Sequence, residues 1–450
     1  MAAAWEAGWA DPRRLHAEGR RARRLLDEAR SVLAQGLGVA PETLSFTPGG
    51  PTALRLGLEG LRYAARRTGA RLVAATVEHS AILLPGRHAA AAAGDPGQFG
   101  PVPVDALGRV DLAAWATALD SPGTAVAALQ SANGEVGTRQ PLAAAHEECR
   151  RRGIPLLVDA TAGLGRDATP ESYDVLVGDA RSFAGPPGIG LLVLPPRTRW
   201  RLPGPPTEVE GGRVDIEPVL PLALGAAEAW AQTVAARDAD ARAARALVDT
   251  IRAAAAAIPD TEVVGDPIDR LPHVVTCSFL LADGEALVTE LDRRGIAVAS
   301  GSACTSSTLE PSHVLAAMGA LTHGNIRVTL PLESVSPQRT DDVAALVAAF
   351  PTPSLRSEPS CRRDDAARRP HRRPHRRPHR RPGRERGRDG HRRRPRAALS
   401  PASAAAGSGP RATAAGHRSA AARDRPRGAH RRCGLRPDAG AAPARRARRG

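Results

Sequence analysis

Apolar residues at Leu15, Ala22, Leu25, Leu26, Ala29, Val32 and Leu33 recur at helical spacing, and Gly36 and Gly38 end the pattern, which predicts an amphipathic helix near the start of the chain. Short apolar runs then alternate with helical ones. "TLSFT" precedes "TALRLGLEGLRYAARR", "RLVAATV" precedes a helix through Ala93, and "AVAALQ" precedes "PLAAAHEECRRR". "IPLLVDAT", "YDVLVGD" and "GIGLLVLP" follow as three strands. Strands that are apolar on both faces and alternate with helices predict an α/β fold with a mostly parallel sheet covered by helices. An Ala-rich helical stretch from Glu217 to Ile258 changes the rhythm. Beyond it, "HVVTCSFL", "GEALVTELDRRG", "IAVASGSAC", "PSHVLAAMG" and "NIRVTLP" predict a smaller α+β unit. The expected division is a large domain over residues 1–215 and a small one over 216–350.

Composition separates the last hundred residues from the rest. The chain has no lysine, so its 63 basic residues are all Arg. Residues 352–450 hold 30 Arg against 7 Asp or Glu, which leaves the body with 33 Arg against 40 acids. The basicity behind the formal charge of +16 therefore belongs to the tail. A mildly acidic body argues against a nucleic-acid-binding face there, since neutralising the phosphates of a nucleic acid takes clustered positive charge. The tail, 351–450, carries the tandem repeat "HRRPHRRPHRRP" and almost no large apolar residue, so it cannot offset its chain entropy by burial and is expected to be disordered. Two readings of it stay open: a basic arm for nucleic acid or acidic partners, or a GC-rich coding region read out of frame.

The N-terminal "MAAAWEAGWADPRR" lacks the basic-then-apolar order of a secretory signal, and no run in the body approaches the roughly 18 apolar residues of a membrane span. Cys149, Cys277, Cys304, Cys361 and Cys433 are odd in number and lack metal-ligand spacing. Free thiols in a reducing cytoplasm are the expectation, with no metal and no membrane partner.

The stretch richest in chemistry is "SGSACTSSTLEPSHVLAAMG", residues 300–319. A cysteine among Gly, Ser and Thr, between a strand and a helix, has the setting of a working thiol. This stretch resembles the catalytic-cysteine loop of cysteine desulfurases, within the class V aminotransferase group of pyridoxal-phosphate enzymes. Further matches fall in the family's order: "DPRRLHAEGRRAR" at 11–23, "VEHSA" at 77–81, "NGEVGTRQP" at 133–141, "VDAT" at 158–161, "GPPGIG" at 185–190 and "IRVTL" at 326–330. The resemblance spans about residues 9–350 and implies a fold-type I pyridoxal-phosphate transferase, usually a homodimer. It also implies removal of sulfur from L-cysteine to leave L-alanine and an enzyme persulfide.

The resemblance assigns roles residue by residue. Asp159 matches the carboxylate that keeps the pyridine nitrogen protonated, and His79 the flat partner of the ring. Arg327 matches the cation that takes the substrate carboxylate, and Cys304 the persulfide carrier. Alone, each has a plainer reading: a turn acid, a helix cap, a surface charge. Around the cofactor the chain departs from the family. Ahead of "GPxGIG" the family reads approximately Ser-x-His-Lys, and here those positions are Asp179, Ala180, Arg181 and Ser182. Serine cannot take the place of the lysine amine, and no other lysine exists. The phosphate loop, usually Gly-x-Thr, reads Gly49-Gly50-Pro51, losing a hydroxyl and a backbone N–H. Asp179 sets a carboxylate where a phosphate-binding serine is usual, with Arg181 beside it. Gly134 and Ala162 stand where the family has Asn and Gln. Only "MAAAWEAGWA" precedes the "DPRRLH" segment, where the family usually has a strand, so a misplaced start or a truncation is expected.

Three functions follow. One is a divergent desulfurase acting through Cys304; another is an inactive homologue that accepts sulfur or pairs with an active relative. The last is nucleic-acid binding through the tail alone.

Overall fold

The computed structural model describes residues 2–7, 9–280, 282–300 and 311–350. Cys304 and the tail at 351–450 lie outside the described residues. In chain order the elements are α1 (Ala2–Ala7), α2 (Ala17–Leu37), β1 (Leu44–Thr47), α3 (Gly50–Ala65), β2 (Arg71–Ala75), α4 (Ser80–Ala93) and β3 (Phe99–Val102). There follow α5 (Leu112–Leu119), β4 (Thr124–Gln130), α6 (Leu142–Arg152), β5 (Leu156–Asp159), β6 (Val175–Asp179) and β7 (Gly190–Val193). The long α7 (Leu220–Ala256) leads to β8 (Thr261–Val264), β9 (Val274–Phe279), α8 (Gly284–Arg293), α9 (His313–Met318), β10 (Asn325–Thr329) and α10 (Arg339–Ala348).

Seven strands form one sheet in the order β1-β7-β6-β5-β4-β2-β3. Pairs from β3 through β6 are parallel, and β7 runs antiparallel to both of its neighbours. Because successive side chains point to opposite faces, each strand feeds two cores. Val73, Ala75, Leu129, Val158 and Leu176 pack with α2, Trp115 and Trp230 on one face. Leu72, Ala74, Val126, Leu157 and Val177 pack under Leu54, Leu58 and Leu61 of α3 on the other. This is a helix–sheet–helix layering, and it explains why the strands read as unbroken apolar runs.

The carboxyl ends of β4, β5 and β6 come together at one edge, with Gln130 in register with Asp159. Open α/β sheets bind ligands at that edge. At the other end of the fold, β8, β9 and β10 make an antiparallel sheet. Helix α7, about 55 Å long at 1.5 Å per residue, joins the two cores: Ala223 and Trp230 sit in the first, Ala244, Val248 and Ile251 in the second.

One expectation changes. The first helix does not stop at Gly36 but runs to Leu37 and ends on Gly38, whose φ of 69° suits glycine. Gly36 instead marks a close approach: a Cβ there would stand 1.9 Å from the Trp230 indole nitrogen. Among the described residues no helix is long and apolar enough to cross a membrane.

Candidate active site

Two side-chain groups occupy the carboxyl edge of the large sheet. The first lines a cavity of about 230 Å³ and includes His79, Asp159 and Arg327, three of the residues singled out in the sequence. His79 caps α4, its Nδ1 accepting the Ala81 N–H at 3.0 Å, and it also lines the cavity. Asp159 ends β5, and its Oδ1 accepts from the Thr161 N–H at 2.8 Å and the Thr161 hydroxyl at 2.6 Å. Arg327 comes from β10, where its backbone pairs with Ala299. Its Nε is buried and has no hydrogen-bond partner among the described residues.

Three further cavity residues escaped the sequence reading although each lies inside a quoted motif: Glu78 of "VEHSA", Glu135 of "NGEVG" and His313 of "EPSHV". Glu78 is fully buried, and one oxygen accepts the Gln130 N–H at 2.9 Å while the other has no partner. Burial pushes its pKa well above the ordinary glutamate value, the Gln130 hydrogen bond opposes this, and the nearby Asp159 charge adds to it. Burial likewise raises Asp159, against Thr161 and His79, and Glu135, against Ser312 and Arg327. His313 is lowered by burial, although its ring nitrogen lies 3.0 Å from the Glu78 carbonyl. Burial thus opposes charge on all three acids of a cavity that also holds one guanidinium.

Glu78 gives a direct test of this electrostatics. Its raised pKa means that the folded chain keeps a proton the unfolded chain has released, so its share of stability falls as pH rises from the ordinary glutamate range to the raised value. Glu78→Gln is expected to gain on the parent through that window by about 1.4 kcal/mol for each pH unit. Urea unfolding followed from acid to alkaline pH measures it, and parallel pH profiles for the two proteins would refute it.

The second group lies at the N-terminus of α3 and contains Gly49, Gly50, Asp179, Arg181 and Ser182. Gly49 has a φ of 136°, which only glycine adopts freely, and a Cβ on Gly190 would stand 2.3 Å from the Gly49 carbonyl carbon. These glycines let the turn lie directly against β7. Thr161 joins the two groups, since it lines the cavity and its Cγ2 would stand 2.9 Å from a Cβ on Gly50. Asp179, almost fully buried, accepts the Gly50 N–H at 2.7 Å and is gripped by the Arg181 guanidinium through two 2.9 Å hydrogen bonds. Ser182 sits in the 3₁₀ turn Ala180–Phe183, its hydroxyl 2.7 Å from the Asp179 carbonyl and 2.9 Å from that of Leu164. None of these five lines the 230 Å³ cavity.

The helix-covered, mostly parallel sheet, with charged side chains gathered at its carboxyl edge and a smaller α+β unit behind α7, has the fold of the fold-type I pyridoxal-phosphate transferases. The profile of the aminotransferase class-V family matches residues 5–336, and the chain belongs to that family. It is similar to a cysteine desulfurase of Cereibacter sphaeroides, 35% identical over 349 residues that cover 71% of this chain and 83% of the relative. The cysteine desulfurase IscS of Dictyoglomus turgidum is 31% identical over 330 residues, 72% of this chain and 82% of that one. Among solved structures, DndA from Streptomyces lividans aligns with a TM-score of 0.62 at 26% identity, covering 73% of this chain and 94% of that chain. A NifS-like protein aligns with a TM-score of 0.69 at 22% identity over 77% of this chain and 93% of its own, a likeness of fold.

The family implies pyridoxal phosphate as cofactor. That molecule asks for an amine to meet its aldehyde and an open anion site for its phosphate. The residues present do not fit it. The chain contains no lysine, Ser182 turns its hydroxyl onto backbone carbonyls, and the Asp179 carboxylate already takes the N–H of Gly50.

Proposed function

We propose that this chain is a cysteine-desulfurase-like sulfur carrier: Cys304 takes the outer sulfur of cysteine persulfide, and the chain releases no alanine from free cysteine by itself. The supporting observation is that the segment bearing Cys304 is tied to the cavity at both ends. On one side Ala299 pairs with Arg327; on the other His313 reaches the Glu78 carbonyl and lines the cavity. Cys304 lies four residues past Ser300 in the sequence. Arg327, whose buried Nε has no hydrogen-bond partner among the described residues, binds the donor's carboxylate. The Cys304 thiolate attacks the outer sulfur of the donor's –S–SH group; a new S–S bond forms, the old one breaks, and cysteine leaves as its thiolate. Atoms and electrons balance without an oxidant or a cofactor. Pairing of two copies, as the resemblance implies, is part of the same proposal, as is a downstream protein that collects the sulfur.

The protein is incubated with cysteine persulfide made from cystine and sulfide, and peptides are mapped by mass. One added sulfur is expected on Cys304, lost in Cys304→Ser, with about 10- to 100-fold more donor needed in Arg327→Ala. Cys149 and Cys277 are internal controls: both are buried, with pKa pushed up to about 12 by that burial, and stay unlabelled. Absence of label on Cys304, or alanine released from cysteine by the chain alone, would overturn the reading.

A further inference from the structure

A helix N-terminus at the carboxyl edge of an α/β sheet is where such folds place the anionic group of a ligand. At α3 that position holds an anion belonging to the chain. Both Asp179 oxygens are engaged: Oδ2 accepts from Gly50 N at 2.7 Å and from an Arg181 terminal nitrogen at 2.9 Å. Oδ1 accepts from Arg181 N and Arg181 Nε, each at 2.9 Å. The side chain is only 6% exposed, while that of Arg181 is 62% exposed and acts from the solvent side. Burial alone would push the Asp179 pKa up, but its bonds to the Arg181 side chain, Gly50 and the Arg181 backbone outweigh burial and hold it below the usual carboxylate range. It is therefore charged at neutral pH. Pro51 has no N–H, so the same turn offers one backbone donor fewer.

We infer that Asp179 is a resident anion, a side chain that takes the position of a ligand's phosphate and completes the α3 N-terminus in the ligand-free protein. Free phosphate then finds the position filled by charge of its own sign. The inference stands apart from the sulfur-carrier reading, because it involves neither Cys304 nor Arg327.

Thermal unfolding of the full chain tests it, with inorganic phosphate as probe and sodium chloride of matched ionic strength as control. Phosphate is expected to leave the parent's Tm unchanged. Asp179→Ala is expected to melt on the order of 4 °C lower, and phosphate is expected to restore much of that loss by binding the vacated position. Asp179→Asn, which keeps size and loses charge, tests whether charge is what matters and is expected to melt below the parent. If Asp179→Ala does not accumulate as folded protein, Asp179→Ser carries the same rescue test. A phosphate-dependent rise in the parent equal to that of the variant would overturn the inference. So would a variant that melts like the parent, or a loss that phosphate does not reverse.

Discussion

Ser182→Lys alone leaves the protein colourless after incubation with pyridoxal phosphate and dialysis, whereas Asp179→Ser combined with Ser182→Lys retains the visible band of the bound cofactor. The reason is the order in which the two obstacles act. An amine at residue 182 supplies the missing chemistry but does not open the anion site, where Asp179 still holds the Gly50 N–H. A phosphate brought to about 4 Å from that carboxylate is opposed by about 4 kcal/mol per charge pair at an effective dielectric of about 20, roughly a thousand-fold in affinity. Replacing Asp179 with Ser removes the repulsion, frees Arg181 to face the phosphate, and leaves a hydroxyl on the turn. Retention by Ser182→Lys alone would show that the missing amine was the whole obstacle.

The other large effect concerns how Arg327 is held in place. Asp240, in the middle of α7, is buried and serves two guanidiniums: Arg339 at 2.6 Å and Arg166 at 3.4 Å. It also accepts the Glu333 N–H at 3.0 Å. Arg166, in the segment after β5, reaches the Leu330 carbonyl at 2.8 Å, immediately past the strand that carries Arg327. Burial pushes the Arg166 pKa down to about 10, with Asp240 opposing. The cluster thus ties the turn after β5, the long helix and the end of β10 through one carboxylate. Asp240→Ala is expected to destabilise the fold by about 3–5 kcal/mol, because it removes the carboxylate that two buried cations share and leaves Arg339 only the exposed Glu333 at 3.3 Å. Loss of a fraction of a kcal/mol in denaturant unfolding would show that water or Glu333 replaces the carboxylate. Stability of that size is a large share of what a domain of this kind possesses, so fold and cavity fail together.

Most of the large sheet was legible because its strands are apolar on both faces, and the runs around Phe46, Val126, Leu157, Val175 and Leu192 sit where the pattern places them. The edge strand β3 was not, since it contains Gly100 and Pro101 and pairs on one side only, where proline costs no ladder bond. Helix α5 is eight residues long and β8 four, too short for periodicity to separate from loop. The reversal of β7 left no mark on the sequence, because a buried strand reads the same in either direction.

At the site, His79, Asp159 and Arg327 were brought together only by their order in a family pattern, and the cavity they line is formed by chain segments more than 150 residues apart. Glu78 stood next to His79 in the sequence, yet its burial and its lone oxygen depend on the way β4 passes behind it. Likewise the sequence showed Asp179 and Arg181 as two departures from the family pattern. Their joint meaning, a carboxylate clamped onto the Gly50 N–H, required the position of α3 against β6.

The measurement closest to the central claim is the visible absorption of the unaltered full chain after incubation with pyridoxal phosphate and exhaustive dialysis, repeated with L-cysteine present. A colourless protein in both cases is expected, with cofactor recovered in the dialysate. A retained band, or one that shifts when cysteine is added, would mean that the site accepts the cofactor without a lysine and with Asp179 in place, and would contradict the closed anion site.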